Sequence, residues 1–237
     1  MRIDKFISEL GVASRKEAAS LAKKGAVTVN GVAVKDLSKH IDPNKDKVVF
    51  LGRELTYERF VWIMLNKPEG YVSATEDTKL PPVTDLLSAE LRARGLFPVG
   101  RLDKDTLGLM ILTNDGERAH RLLSPKRHVS KKYRFLAAEP IPSGAEKLFS
   151  EGVTLKDGYE CKPAILECDE DRLGGVITLT EGKYHQIKRM IASLGNKVVY
   201  LERIEFAEIP LDKSLARGES RPLTEDELAK LLSAADL

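Results

Sequence analysis

The chain has 237 residues, 42% hydrophobic and 31% charged, with a formal net charge of +2. Such a length suits one large domain or a small one beside a medium one, and the hydrophobic share is ordinary for a globular protein. No window approaches eighteen uninterrupted apolar residues, the opening "MRIDKFISELGVASRKEAAS" lacks the apolar core of a secretory signal, and Cys161 and Cys168 lack the number or spacing for a disulfide framework or a zinc site. The expected setting is therefore a reducing cytoplasm without a membrane span. Residues 1–60 carry twelve Lys/Arg against eight Asp/Glu, and the rest of the chain has a slight acidic excess. A basic module on a near-neutral body points to a polyanion-binding appendage, although solvated lysine-rich faces share that composition.

In chain order, "MRIDKFISELG" predicts a short amphipathic helix, with Ile3, Phe6, Ile7 and Leu10 at helical spacing and Gly11 as its stop. Ser14 and Glu17 in "SRKE" form a capping box for a second helix ending near Lys24 and Gly25. "AVTVNGVAV" alternates around Asn30-Gly31, a two-residue hairpin signal. Arg15, Lys16, Lys23 and Lys24 crowd the second helix, either as a solvated face or as a phosphate-contacting surface. "MRIDKFI", "SRKEA", "GAVTVNGVAV" and "DKVVF", in that order, resemble the S4 RNA-binding domain. That resemblance implies a module over residues 1–58 that binds structured RNA.

"LGRELTYERF" is expected to be a linker, and residues 60–237 a larger domain. Val61 to Leu65 predicts an apolar strand followed by a turn at Pro68–Gly70, and "VTDLLSAELRARG" a helix stopped by Gly95. "VSKKYRFLAAE", "GGVITLTEG" and "NKVVYLERIEF" read as strands. "YHQIKRMIASLG" reads as a helix, as does "LTEDELAKLLSAA" with Thr224 and Glu227 in a second capping box. No βαβ beat, dinucleotide motif or P-loop is present. The fold class expected is α+β, with a mixed, mostly antiparallel sheet in the larger part.

Three stretches carry candidate chemistry. In "GRLDKDTLGLMILTNDG", Asp103 sits on a loop entering a buried strand, with Gly100 and Gly108 allowing unusual backbone angles. It is either a turn cap or a reagent. In "SPKRHVSKKYRF", basic residues including Lys131 and Lys132 flank Tyr133. Phosphate contact with base stacking fits that pattern, as does an edge strand guarded by lysines. In "EGKYHQIKRMIASLG", Lys188 lies beside the stripe Ile187, Met190, Ile191 and Leu194, where it can snorkel or pair with a carboxylate in a cleft. His185 has no second metal ligand at suitable spacing, so an RNA-contacting or structural role is expected and no metal.

Together these stretches, with "KPEG" and "RPLTEDEL", resemble the pseudouridine synthases of the RsuA type over essentially the whole chain. The resemblance implies isomerisation of uridine to pseudouridine in ribosomal RNA without a cofactor. It implies Asp103 as nucleophile, Tyr133 against the target base, Lys188 as countercharge and Arg101 in the space the extruded uridine leaves. RNA contacts would come from Arg15, Lys16, Lys23, Lys24, Lys131, Lys132 and His185. Asp105 and Asp115 are expected to shape loops, and Thr106 to brace or cap. "EGKYHQIKRM" is more similar to members acting on 16S than on 23S RNA. Naked ribosomal RNA or a subunit assembly intermediate is the expected partner of a monomeric protein. The alternatives are a 23S-directed synthase, a non-catalytic ribosome-assembly factor, and a glycoside hydrolase using Asp103 with Asp105, whose carboxylates two residues apart would repel.

Overall fold

The computed structural model describes residues 1–236. By contacts the chain divides into two compact units, Met1–Val61 with Leu87–Leu96, and Trp62–Leu86 with the chain from Phe97 onward.

The first unit begins with α1 (Ile3–Glu9) and α2 (Arg15–Lys23). Ser14 caps α2 through the reciprocal bonds with Glu17 that the sequence predicts. Ile3, Phe6 and Ile7 are fully buried, while α2 buries only Ala18 and Ala22. Each large side chain of this kind contributes about 1.5–3 kcal/mol on burial. Those residues pack on a four-stranded sheet in the order β2-β1-β3-β4, formed by β1 (Val27–Val29), β2 (Val32–Ala33), β3 (Val48–Phe50) and β4 (Arg53–Leu55).

Asn30 and Gly31 both have positive φ, as a type I′ turn requires. Leu51 and Gly52 repeat that geometry, with φ of 51° and 80°. This corrects the linker expectation for "LGRELTYERF", because its residues 53–55 form β4 against β3. Helix α3 (Ala89–Ala93), capped by Ser88, packs here too. Its Glu90 pairs with Arg53 at 3.0 Å, and its backbone lies where a Cβ on Gly11 would clash. The helix expected over "VTDLLSAELRARG" is therefore split, with a 3-10 turn at Val83–Leu86 preceding Ser88.

The second unit is built on a nine-stranded sheet. Its main path is β13-β5-β7-β11-β8-β10-β9. The strands are β5 (Trp62–Lys67), β6 (Phe97–Pro98), β7 (Leu107–Thr113), β8 (Lys131–Ala137), β9 (Ile165–Cys168), β10 (Gly174–Leu179), β11 (Val198–Phe206), β12 (Ile209–Pro210) and β13 (Ser220–Pro222). Short β6 and β12 pair with β7 and β11. Every pairing is antiparallel except β7 with β11, so the mixed, mostly antiparallel sheet is as expected. β8 lies between β11 and β10, which rules out the lysine-guarded edge reading of "SKKYRF".

β5 and β7 are nearly continuous buried runs because both faces are covered. Trp62, Met64, Leu109 and Ile111 on one face meet Ala119 and Leu122 of α4 (Gly116–Leu123), and Leu231 and Ala235 of α7 (Glu225–Asp236). Helix α4 hides behind a turn signal: Asp115 is its N-cap, accepting from the Arg118 backbone N–H. Helix α5 (Ala145–Glu151) and β9 also have no counterpart in the sequence reading, whereas α6 (Gln186–Ser193) does. No helix among the described residues is long and apolar enough to cross a membrane.

Candidate active site

The segment from Gly100 to Thr106 joins β6 to β7 and is pinned at alternate residues. Ser73 Oγ donates to the Leu102 carbonyl at 2.7 Å and accepts from the Leu102 N–H at 2.9 Å. The Gly70 N–H donates to the Lys104 carbonyl. Below the loop, fully buried Lys67 at the end of β5 donates to the carbonyls of Pro68, Lys104 and Thr106 at 3.1, 3.2 and 2.8 Å. Gly108 follows with φ of 98°, so close to β11 that a Cβ would collide with the Arg203 carbonyl. The loop is thus fixed through its backbone.

Asp103 Oδ2 lies 3.0 Å from Lys188 Nζ, and its Oδ1 lies 3.5 Å from His185 Nε2. Lys188 also takes Asp105 Oδ1 at 2.5 Å. Burial opposes the Lys188 charge, but hydrogen bonds and attraction from Asp105 and Asp103 outweigh it and raise its pKa. Burial likewise opposes the Asp105 charge, and Lys188 reverses that balance and lowers its pKa. For Lys67 burial prevails: the amine falls to about 8 despite attraction from Asp105 and Asp103.

The third segment is held by a buried carboxylate. Glu181 accepts from the Tyr159 hydroxyl at 2.9 Å, the Lys162 N–H at 2.9 Å and Gln186 Nε2 at 2.5 Å, while Gln186 Oε1 accepts from the Lys183 N–H. This closes residues 181–186 into a turn that leaves His185 left-handed, at φ 48°, just before α6. Its ring stacks on Tyr184 with centroids 3.8 Å apart.

Asp103, Lys188, Tyr133, Arg101 and His185, distant in sequence, line one cavity with apolar walls from Leu179, Ile187 and Leu201. Tyr133 is 9% exposed, and Arg101 is exposed and without an ion pair among the described residues. Thr106 lines the same cavity, and its buried hydroxyl has no hydrogen-bond partner among the described residues, so it does not brace the loop through a hydrogen bond. Lys131 lines a second, adjoining cavity, whereas Lys132 points to the other face of β8 and pairs with Glu205 at 3.2 Å. Arg15, Lys16, Lys23 and Lys24 are exposed on or beside α2 in the first unit. No cluster of three His, Cys, Asp or Glu residues suited to a metal occurs among the described residues. Lys67 and Glu181 are absent from the sequence-derived set, although "NKPEG" and "EGKYHQ" contain them.

One cavity thus sets an ion-paired carboxylate beside a tyrosine and three aliphatic side chains. Residues 61–193 match the family described as RNA pseudouridylate synthase, and residues 1–46 match the S4 domain. An uncharacterized RNA pseudouridine synthase of Bacillus subtilis, YtzG, is 45% identical over 96% of this chain and 97% of its own. Ribosomal small subunit pseudouridine synthase A of Escherichia coli is 41% identical over 98% of this chain and all of its own, and its Haemophilus influenzae namesake has the same identity and coverage. A crystal structure of pseudouridylate synthase superposes with a TM-score of 0.69 at 41% identity, covering 98% of this chain and 99% of that one. The chain belongs to the RNA pseudouridylate synthase family, with an S4 domain at its N-terminal end.

Proposed function

We propose that the protein isomerises a uridine of small-subunit ribosomal RNA to pseudouridine, with Asp103 as the nucleophile. The observation that carries this is the single cavity in which Asp103, 3.0 Å from Lys188, faces Tyr133. In the reaction the glycosidic C–N bond breaks, the uracil turns, and a C–C bond forms from its carbon 5. The proton leaves carbon 5 and the former glycosidic nitrogen gains one, so no redox partner is needed.

The Asp103 carboxylate supplies negative charge to the sugar carbon as the C–N bond breaks. The Lys188 ammonium offsets the cost of keeping that carboxylate in a partly dry slot. Tyr133 offers its ring face to the uracil, since a phenol is a poor general base near neutrality. Arg101, exposed and unpaired, fills the gap left in the RNA stack; extrusion costs a few kcal/mol, and a planar guanidinium recovers stacking. His185, 3.5 Å from Asp103 at the start of α6, contacts the nucleotide from that side.

The small-subunit target is supported by the names of the relatives from Escherichia coli and Haemophilus influenzae. The S4 domain, through Arg15, Lys16, Lys23 and Lys24, docks on folded ribosomal RNA or an assembly intermediate in the cytoplasm, and the protein acts as a monomer. The test is chemical mapping of pseudouridine in ribosomal RNA from cells lacking the protein, complemented with wild type or Asp103→Asn. One small-subunit position should lose its pseudouridine, regain it with wild type, and stay unmodified with the variant. An unchanged map overturns the function, and restoration by Asp103→Asn overturns the nucleophile.

A further inference from the structure

Beside the first cavity, across Tyr133 and Arg101, which line both, the second unit contains a larger one of about 550 Å³. Its wall includes two cations that the chemistry above does not use. Arg203, 2% exposed, donates from Nε to the Leu109 carbonyl at 2.7 Å. Lys131 donates from Nζ to the Val129 carbonyl at 2.7 Å. Both lie over the Phe206 ring, the guanidinium carbon 5.1 Å and the ammonium 5.7 Å from its centre. Neither is in an ion pair among the described residues, and burial together with the Arg203 charge outweighs the attraction of Glu181 and pushes the Lys131 amine down to about 8.

Two like charges under cover without an anion are a costly arrangement unless something negative joins them. The cavity's own carboxylate attracts Lys131 but forms no ion pair with either cation. Glu181 is the acidic residue in the wall, and its oxygens are already committed to Tyr159, Gln186 and the Lys162 backbone. Glu205 on β11 goes to Lys132 instead. The lining adds Arg101, Lys162 and Lys183, and Lys183 lies over the Tyr159 ring at 4.8 Å. The wall therefore offers a cationic floor, a flat aromatic edge and enough room for a nucleotide.

We propose that this cavity is a phosphodiester subsite: it takes the nucleotide beside the target uridine, whose backbone phosphate sits against Lys131 and Arg203. The proposal rests on the RNA-isomerase reading and deepens it. An extruded uridine drags its neighbouring phosphates with it, and a cationic floor next to the slot fixes where the strand must turn.

The test is a binding cycle on a small-subunit RNA fragment containing the target, made with single neutral methylphosphonate links on either side of the uridine. With wild type, one adjoining link should weaken binding roughly tenfold, the scale of a lost charge-assisted bond. Lys131→Met should bind the natural RNA correspondingly weakly, become insensitive to that link, and lower the salt slope by about 0.7, as for one single-strand phosphate. Lys131→Arg should retain the sensitivity. Lys131→Gln replaces the methionine variant if Trp62 emission or melting shows that variant to be misfolded. Equal sensitivity of wild type and the neutral variant at every link overturns the subsite. Turnover on the same RNA is read in parallel: turnover without coupling removes the subsite alone, and absence of turnover on any small-subunit RNA removes the functional reading with it.

Discussion

Lys67 offers the sharpest quantitative check on the site's architecture. Its ammonium is fully buried under the Asp103 loop, donating to three carbonyls, with its pKa moved from 10.5 to about 8 by burial. That fall corresponds to about 3 kcal/mol of destabilisation while the amine is charged in the folded state. The sign follows from proton counts. Between the folded and unfolded pKa values the unfolded chain binds more protons, so stability rises with pH over that window. Below about 8 the full cost is present; near 10 the folded amine is neutral and most of the cost has gone. A neutral amine still donates two hydrogen bonds to the loop, so the scaffold survives the titration. From pH 7 to pH 10 wild type should gain about 2.5 kcal/mol over Lys67→Met, in which the titration is absent. Urea unfolding followed by Trp62, the chain's one tryptophan, reports the second unit from the same strand as Lys67. With a slope of about 2 kcal/mol per molar, the wild-type midpoint should move roughly 1 M relative to the variant. Other titrating groups are common to both proteins and cancel. Parallel curves would refute the picture of a charged, desolvated amine holding the loop.

Gly108→Ala should destabilise the second unit by roughly 3 kcal/mol or more, since it combines a left-handed backbone with a collision against the Arg203 carbonyl. The melting temperature should drop by roughly 10 °C, and a drop below about 2 °C would show that β7 and β11 separate easily. Replacing Arg15, Lys16, Lys23 and Lys24 by Gln should weaken RNA binding and flatten its salt dependence by up to about 3 in log–log slope, if each meets one phosphate. An unchanged slope would remove α2 from the RNA surface.

The parts of the fold that were legible in the sequence are local. The two capping boxes, Ser14 with Glu17 and Thr224 with Glu227, and the Asn30-Gly31 hairpin each involve residues within one turn. What stayed hidden has a physical reason in each case. Asp115 served both as a turn residue and as the cap of α4, so the turn masked the helix. Leu51 adopts a conformation that leucine rarely takes, so no turn residue announced the second hairpin. The parallel contact of β7 with β11 joins residues nearly a hundred apart, and nothing in either strand encodes its partner.

The site divides along the same line. The order of their motifs drew Asp103, Tyr133 and Lys188 together, and all three line one cavity, whereas local features left Asp103 either a turn cap or a reagent. Lys67 was hidden because a lysine at the end of an apolar run ordinarily snorkels to solvent; only the loop folded over it makes it buried. The doublet Lys131-Lys132 is the most instructive case. As a sequence it is one basic patch. On a strand, adjacent side chains face opposite ways, so Lys131 shares its face with Tyr133 and Lys132 does not. Register then decides their fates: Lys132 pairs with Glu205, while Lys131 shares the Phe206 ring with Arg203 and has no ion pair among the described residues. The parity could have been read from the spacing of Lys131 and Tyr133 alone. The absence of an ion pair could not, because it depends on which strand β8 pairs with.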